Sequence, residues 1–430
     1  MNTPPHDQYL KKTCRYCRTP LPAAFLDLGS VALANSYVPV SAPVNEEFRC
    51  PLRTTLCPSC HLVQLTHVVP PDLMFKHYLY VSSTTKTFQK HFADYACTVR
   101  EKLGNAKNPL AVDIGSNDGL LLACYQQESL RAVGVDPATN LAEEANQKGL
   151  RTLNRYFDKA CVTAILAEFG KAHAVSGNNV FAHINDIHAV CRNVSELLDK
   201  NGIFVIEFPY LGVMLEKMYF DMIYHEHLSY IAVTPLTRLL PQFGMEVFDI
   251  QEVASHGGSL RVFIKKKEGR HKIEPVVSAF LAEEKRRGFD SEQVYRTFAG
   301  KVMKVKTDLL ACIEKIRAEG RSIAGYGAPA KASTIINFCE LNTRQIDYVV
   351  DDNPLKQNHF VPGTRIPIVS SARLETHRPD FIIIFAWNFA REILGKIEPL
   401  KQRGVRFIVP LLKIKETVPP DEENLSYQMI

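Results

Sequence analysis

Ala111-Val112-Asp113-Ile114-Gly115-Ser116-Asn117-Asp118-Gly119-Leu120-Leu121-Leu122 is the stretch from which the rest of the chain is read. An apolar lead-in ends on an acid, two glycines follow four residues apart, and a leucine run resumes. That order predicts strand, tight turn and helix. Glycine belongs where backbone approaches a ligand with no Cβ in the way, and a helix start presents N–H groups beside the strand-end acid. Further on, Arg131-Ala132-Val133-Gly134-Val135-Asp136-Pro137 predicts a second strand ending in an acid. A carboxylate at that place can accept both hydroxyls of a ribose.

The spacing Asp-x-Gly-x-x-x-Gly differs from the dinucleotide fingerprint G-x-G-x-x-G. It resembles motif I of class I S-adenosylmethionine (SAM) methyltransferases. The resemblance implies a Rossmann-like sheet with Asp113, Gly115, Asn117, Gly119 and Asp136 at the cofactor. SAM carries no phosphate, so its loop needs acids and backbone polar groups more than a phosphate cradle.

Alternating strands and helices continue outward from this stretch. Asn178–Asp186 is expected as the fourth strand, a helix is expected around Val194–Asp199, and Gly202–Tyr210 is expected as the fifth strand. Ligands of open α/β sheets sit beyond the carboxyl ends of the strands. Asp113, Asp136, His183 and Glu207 are therefore expected on one edge.

Tyr224-His225-Glu226-His227 follows, and so dense a set of polar groups points to chemistry. If the segment is extended, His225 and His227 share one face and Tyr224 and Glu226 the other. Metal ligands would then not converge. An acid–base role fits better, with one imidazole as base and a neighbouring acid or carbonyl fixing its tautomer. Ser255-His256-Gly257-Gly258-Ser259-Leu260-Arg261 reads equally as an anion-binding loop or as a hairpin turn needing positive φ.

Upstream, Cys14-Arg15-Tyr16-Cys17 and Cys57-Pro58-Ser59-Cys60 form two C-x-x-C knuckles. Four thiolates close a tetrahedral zinc site with no open position, so this zinc is expected to hold the fold and do no chemistry. Cys50 and His61 are spare candidates should one knuckle cysteine not be a ligand. Between the knuckles and the glycine turn lies Tyr78-Leu79-Tyr80-Val81-Ser82-Ser83-Thr84-Thr85. It reads either as a helix cap at Thr84 or Thr85, or as a flap with Tyr78 or Tyr80 over the site.

At 430 residues, with 46% apolar and 23% charged side chains, the chain has the balance of a globular protein of about three domains. The expected division is 1–75, a zinc-binding unit; 76–270, a SAM-binding unit; and 271–430, a second Rossmann-like unit. No apolar run approaches a membrane span and the first residues lack a signal-peptide core, so a cytoplasmic protein is expected. A net charge of +5 disfavours a nucleic-acid track. Past a spacer helix over Phe298–Arg317, Ser322–Ala332 reads as strand, Gly325-x-Gly327 turn and helix, with further strands at Tyr348–Asp352 and Phe381–Ala386. Pro329-Ala330 stands where a third glycine would be, so this unit is read as packing and partial substrate binding, with Lys331 able to pair with a phosphate.

Taken in order, the two knuckles, Asp113-x-Gly115 with Gly119, Asn179 and His183, Tyr224–His227, His256–Ser259 and Gly325–Ala328 resemble the three-domain sugar C-methyltransferases of deoxysugar pathways. The resemblance spans nearly the whole chain. It implies methyl transfer from SAM to a carbon, most often C3, of a nucleotide-activated 4-keto-6-deoxyhexose. It also implies His227 as general base, Tyr224, Glu226, Tyr80, Asn179 and His183 around the sugar (Asn179 reaching the cofactor side too), and Cys14, Cys17, Cys57 and Cys60 on Zn²⁺. A monomer acting on this small-molecule partner, away from membranes and nucleic acid, is expected. The alternatives are a zinc-knuckle RNA-binding methyltransferase and an O-methyltransferase on a nucleotide sugar.

Overall fold

The computed structural model describes residues 6–43, 47–75, 86–410 and 427–429. Tyr78, Tyr80, Thr84 and Thr85 lie outside the described residues. The N-terminal strands are Leu26–Ala32 (β1), Val38–Pro39 (β2), Arg49–Leu56 (β3) and Val63–Leu65 (β4). Leu110–Ile114 (β5), Arg131–Asp136 (β6), Thr152–Asn154 (β7), Ala172–Asn178 (β8) and Leu198–Pro209 (β9) follow. Then come Ser229–Tyr230 (β10), Met245–Val253 (β11) and Ser259–Lys266 (β12).

The central sheet runs β11-β12-β9-β8-β5-β6-β7, parallel from β9 to β7, with β12 antiparallel to β9 and β11 antiparallel to β12. Every residue of β5 is buried, as in a parallel strand covered on both faces. Strand order reverses between β5 and β8, which opens a crevice beyond their carboxyl ends. This is the class I SAM methyltransferase arrangement.

The fourth strand is displaced from its expected place. β8 ends at Asn178, where the expected strand began. Asn179 takes φ 54°, a 3₁₀ turn covers Phe181–His183, and Asp186 caps the helix Ile187–Leu197 by accepting the Ala189 N–H at 3.1 Å. Val180-Phe181-Ala182 reads as a strand by hydrophobicity, but the left-handed asparagine and the capping aspartate override it. The helix therefore starts at Ile187, well before Val194, and β9 starts at Leu198, not Gly202.

The N-terminal sheet is β1-β3-β4-β10, so its last strand comes from the central chain, two residues past His227. The spacer helix is longer than expected, Glu292–Ala318, with Ser291 capping its start. The C-terminal strands are Ile323–Tyr326 (β13), Val349–Val350 (β14), His359–Phe360 (β15), Ile368–Val369 (β16), Phe381–Ile384 (β17), Arg406–Pro410 (β18) and Tyr427–Met429 (β19). They form a second sheet, β16-β14-β13-β17-β18-β19, parallel except for β19, while β15 pairs with β2. One apolar core runs through all three units, from Leu62 through Phe208 to Ile335. No helix among the described residues is long and apolar enough to cross a membrane.

Candidate active site

A cavity of about 830 Å³ opens at the carboxyl ends of β5, β6 and β8. Asp113, Gly115, Ser116, Asn117 and Asp136 line one end of it. Asp136 clamps the glycine turn: one oxygen accepts Asn117 N–H at 2.8 Å and the other accepts Ala138 N–H at 2.8 Å. A carboxylate has about four acceptor sites, so both oxygens can still take hydroxyls. Asp113 accepts the Ser176 hydroxyl at 2.6 Å, and burial pushes its carboxyl up to about 7.

Gly115 has φ 71°, and a Cβ there would meet Val180 at 2.4 Å. Gly119 corrects its expected role. It does not line the cavity, and its missing Cβ admits Leu150 and Ala145, letting the helix pack on its neighbour. Both amide atoms of Asn178, the Asn179 side-chain oxygen and the Ser116 hydroxyl are buried at the cavity with no hydrogen-bond partner among the described residues. These are groups awaiting a polar ligand. Phe157 and Asp158, just past β7, line the same end. The strand-edge rule applied to the short third strand would have found them.

The other end holds His183, Tyr224, His227 and His256. Residues 224–227 form a turn closed by His227 N–H donating to Tyr224 O at 2.9 Å, not the extended segment expected. His227 Nδ1 lies 2.7 Å from Met222 O. A carbonyl only accepts, so Nδ1 holds the proton and Nε2 keeps its lone pair. No hydrogen bond from the described residues occupies Nε2. The ring lies 4.0 Å from that of Tyr224 and 5.1 Å from that of His183, centroid to centroid. Burial, aided by His183, holds the His227 imidazole well below the usual histidine range. Burial likewise takes His183 and His256 down to about 4. All three rings rest neutral near pH 7.

The turn sends its other side chains away from the cavity, so the shared face expected for His225 and His227 does not form. His225 Nε2 meets Cys50 O at 3.1 Å, and Glu226 accepts Asn35 Nδ2 at 2.6 Å. Both tie the turn to the N-terminal unit, and Glu226 does not line the cavity. Glu207 is also displaced from the role expected at a strand end. It is 1% exposed, paired with His91 at 2.7 Å and Arg261 at 3.1 Å. That pairing leaves Arg261 unavailable to an anion, and His256, Gly257 and Gly258 all take positive φ, as the hairpin reading requires. From the C-terminal unit, Lys331 enters the cavity.

The four cysteines of the knuckles come together. Their sulfurs lie within 4.8 Å of one another, with Cys14–Cys60 at 3.5 Å and Cys17–Cys57 at 3.4 Å. Zn–S bonds of about 2.3 Å put the sulfurs of a tetrahedron about 3.8 Å apart, so the set fits zinc. Cys50 lies apart, buried against Leu33 and Val69, and His61 is not in the cluster.

Comparison with known proteins matches three successive families along the chain. Residues 14–75 match a family described as "Putative zinc binding domain", 88–250 a "Methyltransferase domain", and 254–411 a "C-methyltransferase C-terminal domain". The chain is 37% identical over 398 residues to the C-methyltransferase NovU of Streptomyces niveus, covering 93% of this chain and 95% of that one. Among solved structures, magnesium protoporphyrin IX methyltransferase of Synechocystis PCC 6803 with bound SAH is similar over 41% of this chain and 82% of its own, at 16% identity and TM-score 0.33. The plantazolicin methyltransferase BpumL with SAH matches 43% of this chain and 86% of its own, at 12% identity and TM-score 0.34. With a crevice at the strand ends, a four-thiolate knuckle pair and similarity over 93% of its length to a C-methyltransferase, the chain belongs to the SAM-dependent C-methyltransferases that carry an N-terminal zinc-binding domain.

Proposed function

We propose that the enzyme methylates the carbon beside the ketone, C3, of a nucleotide-linked 4-keto-6-deoxyhexose, with His227 as the base. A C–H bond beside a carbonyl is acidic enough for a positioned imidazole when the oxygen that takes up charge is stabilised. His227 Nε2 removes the proton, and the C–H electron pair moves into the ring enolate. The sulfonium of SAM supplies an electrophilic methyl group. As the C–CH₃ bond forms the S–CH₃ bond breaks, leaving the neutral thioether and a protonated His227. Holding both partners in line supplies up to roughly 7–11 kcal/mol of barrier reduction in favourable systems.

One observation carries this reading: a neutral imidazole, its Nδ1 held by Met222 O, faces the same cavity as Asp113, Gly115 and Asp136. Tyr224 and His183 beside it, and Asn179 between the two ends, are proposed to hold the sugar. NovU is itself described as a C-methyltransferase, which favours carbon over oxygen as the acceptor. The test is incubation with labelled SAM and a panel of TDP-linked 4-keto-6-deoxyhexoses in deuterated water. Exchange of the C3 hydrogen before transfer is the expected result. Transfer to a hydroxyl without such exchange would replace this reading with O-methylation.

A further inference from the structure

Lys331 is the one cavity-lining cation among the described residues that is not on the exposed rim, where Lys11 and Arg155 lie. Its side chain comes from the helix Ala330–Phe338 of the C-terminal unit and is 8% exposed. Its ammonium nitrogen sits 4.2 Å from the Trp387 ring centroid and has no hydrogen-bond partner among the described residues. An ammonium has three donors, and leaving all of them unmet in a buried place is unfavourable. Buried polar groups in that state point to a missing partner.

The surroundings tie the helix of this cation to the segment that leads to His227. Thr334, one turn along the same helix face, donates to Ile223 O at 3.0 Å, next to the Met222 carbonyl that holds His227. Trp387 stacks on Tyr219 at 3.9 Å and donates its indole N–H to Asp221. Asp221 is fully buried, and its other oxygen has no partner. Burial pulls the Lys331 ammonium below the usual lysine range, and the charge of Asp221 opposes that pull. The ammonium charge in turn acts on both His227 and His256. A diphosphate, carrying two charges and tolerating water, is better met by the exposed Lys11 and Arg155. A single buried ammonium in the cavity that holds His227 matches a single negative charge that exists only while the substrate carbon is deprotonated.

Resting on the carbon-methylation reading above, we propose that Lys331 is a catalytic residue that donates a hydrogen bond to the carbonyl oxygen of the substrate and stabilises it as the enolate forms. His227 Nε2 takes the α-proton, the electron pair reaches the carbonyl oxygen, and the ammonium holds that oxygen until the pair returns to carbon to bond the methyl. Lys331 keeps its proton throughout, so the step balances with no further reactant.

The experiment follows exchange of the substrate's α-hydrogen into deuterated water, with saturating TDP-4-keto-6-deoxyglucose and S-adenosylhomocysteine in place of SAM. Lys331→Met is expected to slow exchange about 10²–10³-fold, the usual effect of removing one oxyanion donor. Binding of free TDP and of SAM, measured by calorimetry, should stay within about twofold of wild type. Lys331→Arg, which keeps a cation, is expected to recover part of the rate. Weakened TDP binding with unchanged exchange at saturation would overturn the proposal in favour of a diphosphate contact. Equal loss in Met and Arg variants, with a lowered Tm, would overturn it in favour of a packing role. Absence of exchange in the wild type would instead defeat the carbon-methylation reading itself.

Discussion

The two α/β units of this chain close their glycine turns with the same hydrogen bonds and use them differently. In the central unit, Asp136 at the end of β6 accepts Asn117 and Ala138 N–H groups. In the C-terminal unit, Asp351 just past β14 accepts Ala328 N–H at 2.7 Å and Asn353 N–H at 2.9 Å. Above the first turn lies the cavity. Above the second, the Tyr37 hydroxyl and the Lys356 ammonium donate to Ala328 O at 2.7 and 3.0 Å, and Lys356 pairs with Asp351 at 3.6 Å. The missing Cβ of Gly327 is answered by Ala386 at 2.4 Å. Shared topology therefore does not make a shared site. The second turn is filled from within and by the N-terminal unit, and its following helix serves the neighbour's cavity through Lys331.

The sharpest way to break this contrast is to remove the proposed base. His227→Ala should lower turnover by about 10²–10⁴-fold, the range of general base catalysis, with SAM affinity near wild type by calorimetry. Retained turnover would unseat the assignment. Next comes the acid pair. Asp136→Ala should weaken SAM binding at least about tenfold, given roughly 1.5–3 kcal/mol for a charged hydrogen bond. Asp351→Ala should leave SAM affinity unchanged and lower only Tm. Equal effects on affinity would mean the second turn also takes part in cofactor binding.

A pH series probes the central unit alone, which carries all three of the histidines concerned. His183, His225 and His256 are held at about 4 by burial, below the value near 6.5 of an unfolded chain. Between those values the unfolded state binds more protons, so stability is full above about pH 6.5 and declines as pH falls toward 4. Each ring contributes up to about 1.4 kcal/mol per pH unit in that window. Urea midpoints at pH 7, 6 and 5 should fall in step, while turnover under native conditions should persist below pH 6.5 because His227 stays neutral. The smallest effect belongs to Tyr37→Phe, expected to cost about 1 kcal/mol of stability and nothing in SAM affinity. Gain of nucleotide binding there would show that the tyrosine merely masks a working site.

Much of this was legible beforehand because it is local. The knuckle spacing brought four sulfurs together, and the strand-acid-glycine pattern located one end of the cavity. Glu207 escapes a reading of the sequence because its partners lie far along the chain: His91 is 116 residues away and Arg261 is 54. No local pattern announces a buried ion pair of that kind. The Tyr224–Glu226 segment was misread for another reason. Alternation assumes a straight backbone, and the turn hands His225 and Glu226 to a different unit. Gly119 looked like a ligand glycine, yet its close neighbour is Leu150, thirty-one positions on.

The strand that completes the N-terminal sheet has an effect at a distance. Arg15, inside the first knuckle, donates to Leu228 O, and Ser229 and Tyr230 pair with Gln64 and Val63. The peptide just after His227 is thus stitched into the ribbon that the thiolates hold. A metal with no chemical duty would then govern the aim of the imidazole, and specific activity of different preparations should scale with their zinc stoichiometry. Metal-starved cultures would yield enzyme that still takes up SAM but has lost its grip on the proton.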